Sequence, residues 1–173
     1  MLSPTILTKR LRMRRFKETD IDMQYKILTD SDLSKYISFP KITKEEELEC
    51  IKKWIKEADL DKYEKWVIEL KDSNIPIGNI SVNCIDKKNN YCNVGYVILT
   101  EYQNMGYATE ALKGISDYLL EKYYLVECSC NELNKASAKV MEKAGFINDG
   151  YIKDRRKNSD GSYTAVLFYS KKK

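Results

Sequence analysis

The chain has 173 residues, of which 43% are hydrophobic and 32% are charged, and its net charge at pH 7 is only +4. This length and composition predict a single soluble domain spanning residues 1–173, with enough apolar side chains to form a core without metals or disulfides. The basic residues are spread among 26 acidic ones, which argues against dedicated nucleic-acid binding. Because no apolar run reaches the length of a membrane span, and the first residues lack the apolar core of a signal peptide, we expect no membrane association and a cytoplasmic location.

The chain contains five cysteines and no histidine. Without histidine, Ser-His-Asp and Cys-His nucleophilic schemes are impossible, so acid–base chemistry falls to carboxylates, tyrosine, serine, cysteine, the substrate or water. The cysteines form no Cys-x-x-Cys pair, and we therefore expect no metal site. Cys128 and Cys130 alternate within an apolar run, which predicts two free thiols on one face of a strand.

The N-terminal third predicts one strand and two helices. Residues 10–14 alternate with period two, which places two apolar side chains on one face and three arginines on the other. This pattern favours an edge strand with a solvated basic face over a nucleic-acid-binding stripe. A first helix opens at Thr19 and Asp20, and a capping box of Thr43 and Glu46 opens a second helix, whose apolar stripe we assign to the core.

The middle of the chain predicts three strands joined by polar turns, which is typical of antiparallel hairpins. These strands span residues 65–71, 75–85 and 91–99. The third strand leads through a short loop into an amphipathic helix that begins after Gly106. The next strand, residues 125–130, follows this helical crossover, so we expect it to lie parallel to the strand that ends at Leu99.

The C-terminal part predicts a helix and a hairpin. Asn134 is placed to cap the helix, and Gly145 ends it. Residues 146–157 and 163–170 form the two strands of the hairpin, which turns around Ser159, and the three terminal lysines are expected to be a frayed end.

The loop from Gln103 to Ala108 has the features of an anion site. A helix that begins where a strand stops presents unpaired N–H groups and the positive end of its dipole. Gly106 and Ala108 leave room for a phosphate at this point. The spacing matches neither a Walker loop nor the glycine turn of dinucleotide-binding folds, so a different kind of phosphate site is indicated.

Gln103-x-x-Gly106-x-Ala108 after a strand resembles the acyl-CoA pyrophosphate loop of the GNAT superfamily of N-acetyltransferases. The sequence of this segment is most similar to the RimJ/RimL-like branch, the ribosomal-protein-alanine acetyltransferases. Residues 134–137 and 142–146 are similar to the family's second half, and residues 9–14 to its opening strand, so the resemblance covers nearly the whole chain. It implies an α/β (α+β) GNAT fold: a mixed sheet of about six to seven mostly antiparallel strands with one splayed parallel pair, flanked by about four helices.

The resemblance also implies acetyl-CoA as the co-substrate, bound without a metal. Strand backbone groups would pair with the pantetheine arm, and loop amides would hold the pyrophosphate. The residues it assigns to the cofactor are Val97, Ile98, Leu99, Gln103, Met105, Gly106, Tyr107, Ala108, Thr109 and Asn134. Tyr36 and Phe39 lie between the first two helices, where the family has its acceptor site, although both could instead fold into the core.

The catalytic groups are harder to assign. Many relatives carry a tyrosine where this chain has Met141, so Ser137, which matches a serine of the RimL-like branch, is the candidate acid for the leaving thiolate. Asn93 and Thr164 stand at positions where relatives often have carboxylates. Because neither side chain can act as a base, the identity of the general base stays open.

Three interpretations of the missing base remain. Glu69 or Glu127, on neighbouring strands, could act through a water molecule. A substrate amine of low pKa would need no base, since an α-amino group near 8 loses its proton more readily than a lysine near 10.4. The third interpretation is that the protein binds acyl-CoA without efficient turnover.

The leading functional hypothesis is an acetyl-CoA-dependent N-acetyltransferase. A peptide N-terminal α-amine or a small-molecule amine would attack the thioester directly in a ternary complex. The alternatives are an acyl-CoA-binding sensor or catalytically weak homologue, and a ribosome- or nucleic-acid-binding module. The final hairpin could also pair with that of a second copy in a homodimer.

Overall fold

The computed structural model describes residues 4–59, 64–158 and 160–173, so Ser159, predicted at the tip of the final hairpin, lies outside the described residues. Within these ranges the chain forms one eight-stranded sheet with helices on both faces. The strands are β1 (Ile6–Leu7), β2 (Leu11–Arg14), β3 (Lys65–Leu70), β4 (Pro76–Asp86), β5 (Tyr91–Ile98), β6 (Leu125–Asn131), β7 (Ile147–Lys157) and β8 (Tyr163–Lys172). The helices are α1 (Ile21–Thr29), α2 (Ser31–Ser34), α3 (Lys44–Asp59), α4 (Tyr107–Lys122) and α5 (Lys135–Lys143), with short 3₁₀ turns at Glu18–Asp20 and Thr100–Tyr102.

The sheet order is β1-β2-β3-β4-β5-β6-β8-β7, and every described neighbouring pair except β5–β6 is antiparallel. The predicted mixed α/β fold with one parallel pair is therefore confirmed. Two elements were not predicted: β1 has two residues and α2 has four, which is too short for a periodic pattern to show.

The parallel pair separates after four residues. Tyr91 to Val94 of β5 pair with Leu125 to Cys128 of β6. Beyond this point β5 continues to Ile98 and β6 to Asn131 without pairing to each other. The predicted splay is therefore present, and it opens a gap in the middle of the sheet.

Each face of the sheet has its own core. Trp66 and Ile68 of β3 pack on the side of α4 and α5, whereas Val67 between them packs with α1 and α3. All three are fully buried, because β3 lies inside the sheet and is covered on both faces. Each such side chain contributes about 1.5–3 kcal/mol through burial. The splayed gap thus lies between two packed layers of helices.

The prediction of an edge strand with a solvated basic face was wrong. β2 lies between β1 and β3, and its arginines are paired with acids. Arg14 lies 2.6 Å from a Glu69 oxygen and 2.8 Å from an Asp20 oxygen, and Arg12 lies 2.8 Å from Glu69. Carboxylates from β3 and from the turn after β2 neutralise this face, so the arginines offer no free stripe to a nucleic acid.

One further detail differs between prediction and structure. The terminal lysines are not all frayed: Lys171 belongs to β8, and its ammonium donates to Asp117 at 2.7 Å and to the Ser116 hydroxyl at 3.2 Å.

The capping box predicted for the second helix is confirmed, since the Thr43 amide donates to Glu46 at 2.7 Å and the Glu46 amide donates to the Thr43 hydroxyl at 3.2 Å. None of the helices in the described ranges is long and apolar enough to cross a membrane.

Candidate functional site

A cavity of about 1020 Å³ runs through the splayed gap between β5 and β6. One half is bounded by the end of β5, the following loop, the start of α4 and one side of α5. The other half is bounded by α1, α3, the segment after α2, and the inner strands β3 and β4. A cavity of this shape has room for an elongated ligand and for a second molecule that meets its end.

The loop that closes the first half presents an open helix terminus. Asn104 and Gly106 both adopt left-handed backbone conformations, with φ of 62° and 80°. α4 starts directly after Gly106, and no side chain caps it. The first amides of the helix are therefore left for a ligand or water, as the sequence predicted for an anion site. The Gln103 side chain closes the loop from the other side by donating to the Ile98 carbonyl at 3.0 Å.

Arg10 braces this loop, a role that the sequence did not reveal. Its guanidinium donates to the Met105 carbonyl at 2.9 Å and to Glu110 at 2.7 Å, and it lies 4.4 Å from the centre of the Tyr107 ring. Thr8 also donates to Glu110, at 2.6 Å. Burial would raise the pKa of Glu110, but the hydrogen bonds from Thr8 and Arg10 outweigh it and hold the pKa below its ordinary value.

Tyr96 and Ser137 form a pair of hydroxyl groups in the middle of the cavity. The Tyr96 oxygen lies 2.9 Å from the Ser137 hydroxyl and 3.2 Å from the Ser137 carbonyl. The Ser137 amide donates to the Asn134 side chain at 3.0 Å, which fixes the first turn of α5. Burial raises the pKa of Tyr96 far above its ordinary value, so the phenol keeps its proton. The sequence indicated Ser137 and Asn134 but not Tyr96, although Tyr96 lies in the strand assigned to the cofactor.

Most of the residues assigned to the cofactor lie together on the cavity wall. The members of this group are Val97, Ile98, Gln103, Gly106, Tyr107, Ala108, Thr109 and Asn134. Leu99 and Met105 are not on the wall. Leu99 is buried in the core beside α1 and its amide donates to the Ile77 carbonyl at 2.9 Å, so that amide is not free for a ligand. Tyr36 and Phe39 do line the second half of the cavity.

The two carboxylates proposed as bases lie elsewhere. Glu69 is 4% exposed, and its two oxygens accept from Arg12 and Arg14. Glu127 lies opposite Asn93 in the paired part of β5 and β6, below the point where the gap opens. Burial raises the pKa of Glu127, but neither carboxylate is on the cavity wall.

A different polar cluster lines the second half of the cavity: Gln24, Glu47, Trp54, Lys65 and Asn79. The Asn79 amide donates to the Gln24 oxygen at 2.9 Å, and both side chains are buried. The Lys65 ammonium lies 3.5 Å from the centre of the Trp54 ring, and burial lowers its pKa to about 8.

Glu47 is the carboxylate of this cluster and is only 3% exposed. Sequence reasoning missed it because glutamate is ordinarily a surface residue of a helix. A signal was available: Glu47 stands four residues before the buried Ile51, on the apolar stripe of α3. No group of three or more potential metal ligands occurs in the described part of the chain.

Comparison with known proteins gives consistent results. The profile of the Acetyltransferase (GNAT) domain matches residues 10–147. A protein described as the uncharacterized N-acetyltransferase YnaD of Bacillus subtilis is 32% identical over 150 residues, covering 86% of this chain and 85% of YnaD. A GNAT-family acetyltransferase structure from Bacillus anthracis superimposes with a TM-score of 0.86 at 25% identity, over 98% of both chains. RimL, a ribosomal L7/L12 α-N-protein acetyltransferase crystallised with coenzyme A, superimposes with a TM-score of 0.85 at 19% identity, over 99% of this chain and 98% of RimL.

Proposed function

The chain belongs to the GNAT acetyltransferase family, and from this we propose that it transfers an acetyl group from acetyl-CoA to an amine by direct attack in a ternary complex. One observation carries this proposal: the gap between β5 and β6 is continuous with the open N-terminus of α4. An acyl-CoA has the matching form, since a long amide-containing arm is followed by a pyrophosphate.

In this proposal the pantetheine arm lies along the end of β5. Its amides pair with the backbone of Val97 and Ile98, as an added strand would. The pyrophosphate binds the amides of Tyr107, Ala108 and Thr109 at the start of α4. The complex of RimL with coenzyme A supports coenzyme A as the ligand, because the two folds superimpose over nearly their full lengths.

The reacting thioester then lies near Tyr96 and Ser137. When the amine attacks the carbonyl carbon, the C–S bond breaks and the sulfur needs a proton. The paired hydroxyls of Tyr96 and Ser137 can supply it, because each can pass a proton to the other across 2.9 Å. We assign the acid role to this pair rather than to Ser137 alone.

The acceptor enters the other half of the cavity, beside Tyr36 and Phe39. Arg156 of β7 also lines this half and donates to the Ser38 hydroxyl at 3.3 Å. The acceptor is a peptide α-amine, as acted on by RimL, or a small-molecule amine. The base role predicted for Glu69 finds no support in its position, because both of its oxygens are engaged by arginines on β2.

The experiment is to measure release of free CoA thiol from acetyl-CoA. The acceptor panel contains ribosomal-protein N-terminal peptides, polyamines, amino acids and aminoglycosides. We expect turnover with one of these classes, which would establish the activity and identify the acceptor together. Tight acetyl-CoA binding with no thiol release across the panel would contradict the proposal and favour the sensor hypothesis.

Two expectations from the sequence stay predictions: the cytoplasmic location and the homodimer. The final hairpin carries exposed apolar side chains at Ile147, Tyr151 and Ile152, which a second copy would cover. β7 is also the last strand of the sheet, so its outer edge is open to pairing.

A further inference from the structure

Glu47 is a buried carboxylate with an oxygen that the fold leaves unused. It lies on the inner face of α3, on the wall of the acceptor half of the cavity. Its Oε1 atom is buried and has no hydrogen-bond partner among the described residues. Burying a charged oxygen without a partner is costly, and folded proteins rarely tolerate it without a functional reason.

The groups around Glu47 do not fill this vacancy. From α1, the Gln24 side chain accepts from Asn79 of β4 through its oxygen and hydrogen-bonds to the Glu47 carboxylate, but this still leaves the Oε1 atom of Glu47 without a partner among the described residues. From β3, the Lys65 ammonium lies over the Trp54 ring, and the Glu47 Oε1 atom has no hydrogen-bond partner among the described residues. Burial raises the pKa of Glu47, whereas Gln24 and the charge of Lys65 oppose that shift. Burial is the largest of these effects, so the pKa of Glu47 lies above its ordinary value, which suits a group that accepts a proton, and its Oε1 atom still lacks a donor among the described residues.

We propose that Glu47 binds the ammonium group of the acceptor and takes a proton from it, which makes the acceptor a primary alkyl ammonium rather than a neutral amine. This inference rests on the proposed acetyl transfer. It assigns the general base that the sequence left open. A primary ammonium has three N–H donors, so it can satisfy the free oxygen of Glu47 while its carbon chain packs against Trp54.

The proton balance closes with these groups. The ammonium gives one proton to Glu47, which leaves a neutral amine with a lone pair. The nitrogen then bonds to the acetyl carbon, the C–S bond breaks, and the sulfur receives a proton from the Tyr96–Ser137 pair. That pair regains its proton from the new amide nitrogen, and Glu47 releases its own to solvent. The products are the N-acetyl amine, CoA thiol and one proton.

The test measures binding without turnover. Protein saturated with CoA is titrated with n-butylammonium chloride and, separately, with 1-butanol, which has a similar shape but no charge. The reporter is the indole N–H signal of Trp54, which is readily identified because the chain has only two tryptophans. We expect wild-type protein to bind butylammonium about tenfold to hundredfold more tightly than butanol, as a charge-assisted hydrogen bond requires.

Three variants test whether the charge of Glu47 causes the preference for butylammonium. Glu47→Gln removes the charge at nearly constant shape and is expected to abolish the preference for butylammonium. Glu47→Asp keeps the charge and is expected to retain part of the preference. Glu45→Gln removes the same charge from an exposed position on the same helix and is expected to behave as wild type. A melting temperature for each variant shows whether it is folded.

The inference is overturned if wild-type protein shows no butylammonium-dependent shift, if it binds both probes equally, or if Glu47→Gln keeps the preference. These outcomes are independent of thiol release. A protein that prefers butylammonium yet turns over no amine contradicts the proposed function alone.

Discussion

At the scale of single residues, the paired hydroxyls of Tyr96 and Ser137 are the groups whose chemistry is best defined. Burial keeps the Tyr96 phenol protonated, and the contact with Ser137 orients it across the cavity. A protonated, oriented hydroxyl is suited to donate to a thiolate that forms nearby. Neither hydroxyl is needed to hold the loop from Gln103 to Ala108, because other residues hold that loop in place.

We therefore expect Tyr96→Phe to lower kcat for acetyl transfer by roughly a hundredfold. The Kd for acetyl-CoA should stay within a factor of about three, because phenylalanine keeps the ring and its packing. Steady-state kinetics and calorimetric titration test the two halves of this prediction. Tyr25→Phe removes a phenol from outside the cavity lining and serves as the control. Equal losses of kcat in both variants would contradict an acid role for Tyr96.

The structural features of the candidate site that the sequence predicted correctly are those that backbone geometry determines. Gly106 and Asn134 could be read from the sequence, because a left-handed turn and a helix cap restrict the residue type. Glu47 and Tyr96 could not be read in this way. Their roles depend on which side chains other segments bring near them, and no local rule records such contacts.

At the scale of elements, the start of α4 depends for its position on the turn that precedes β2. Arg10 ties the Met105 carbonyl to Glu110 on the first turn of α4, across about one hundred residues of sequence. A Cβ atom on Gly106 would lie 3.3 Å from the Arg10 guanidinium, so the arginine also fills the space behind the loop. The loop is thereby held open before any ligand arrives, which lowers the entropic cost of binding.

Removing this brace should weaken cofactor binding more than catalysis. We expect Arg10→Ala to raise the KM for acetyl-CoA about tenfold, while kcat changes by less than about threefold. Lys9→Ala, at the exposed neighbouring position, is the matched control and should change neither value. A fall in kcat at unchanged KM would show that Arg10 does not act through the loop.

The elements themselves were largely predictable. Seven of the eight strands and four of the five helices in the described ranges follow from periodicity, turn residues and capping patterns. The position of β2 was not predictable, because the two-residue β1 that covers it carries no pattern. The β2 arginines looked solvated because no local pattern shows that Glu69 of β3 and Asp20 pair with them.

At the scale of the whole molecule, the cavity joins the two halves of the sheet. β1 to β5 lie on one side and β6 to β8 on the other, and among the described residues the four-residue parallel pairing is the one that connects them within the sheet. A ligand in the gap would contact both sides. Ligand binding should therefore stabilise the entire fold.

We expect acetyl-CoA at 100 times its Kd to stabilise the protein by about 2.7 kcal/mol. For a domain of this size the melting temperature should rise by about 5–10 °C. Amide hydrogen exchange should slow most at the end of β5, between Tyr96 and Ile98, and at the start of α4. Dephosphorylated pantetheine is the control, since it should protect β5 but not α4. Uniform protection of both strand and helix by pantetheine would contradict the proposed placement.

The short pairing between β5 and β6 also bears on the order of events in catalysis. Because only four residue pairs are described between β5 and β6, the two sides of the sheet can move relative to each other at that junction until a pantetheine arm fills the gap. The Tyr96 hydroxyl lies on the β5 side of the gap, and Ser137, on α5, lies on the β6 side. The two hydroxyls lie 2.9 Å apart across the gap, so we expect bound acetyl-CoA to keep them in register and the amine to bind second.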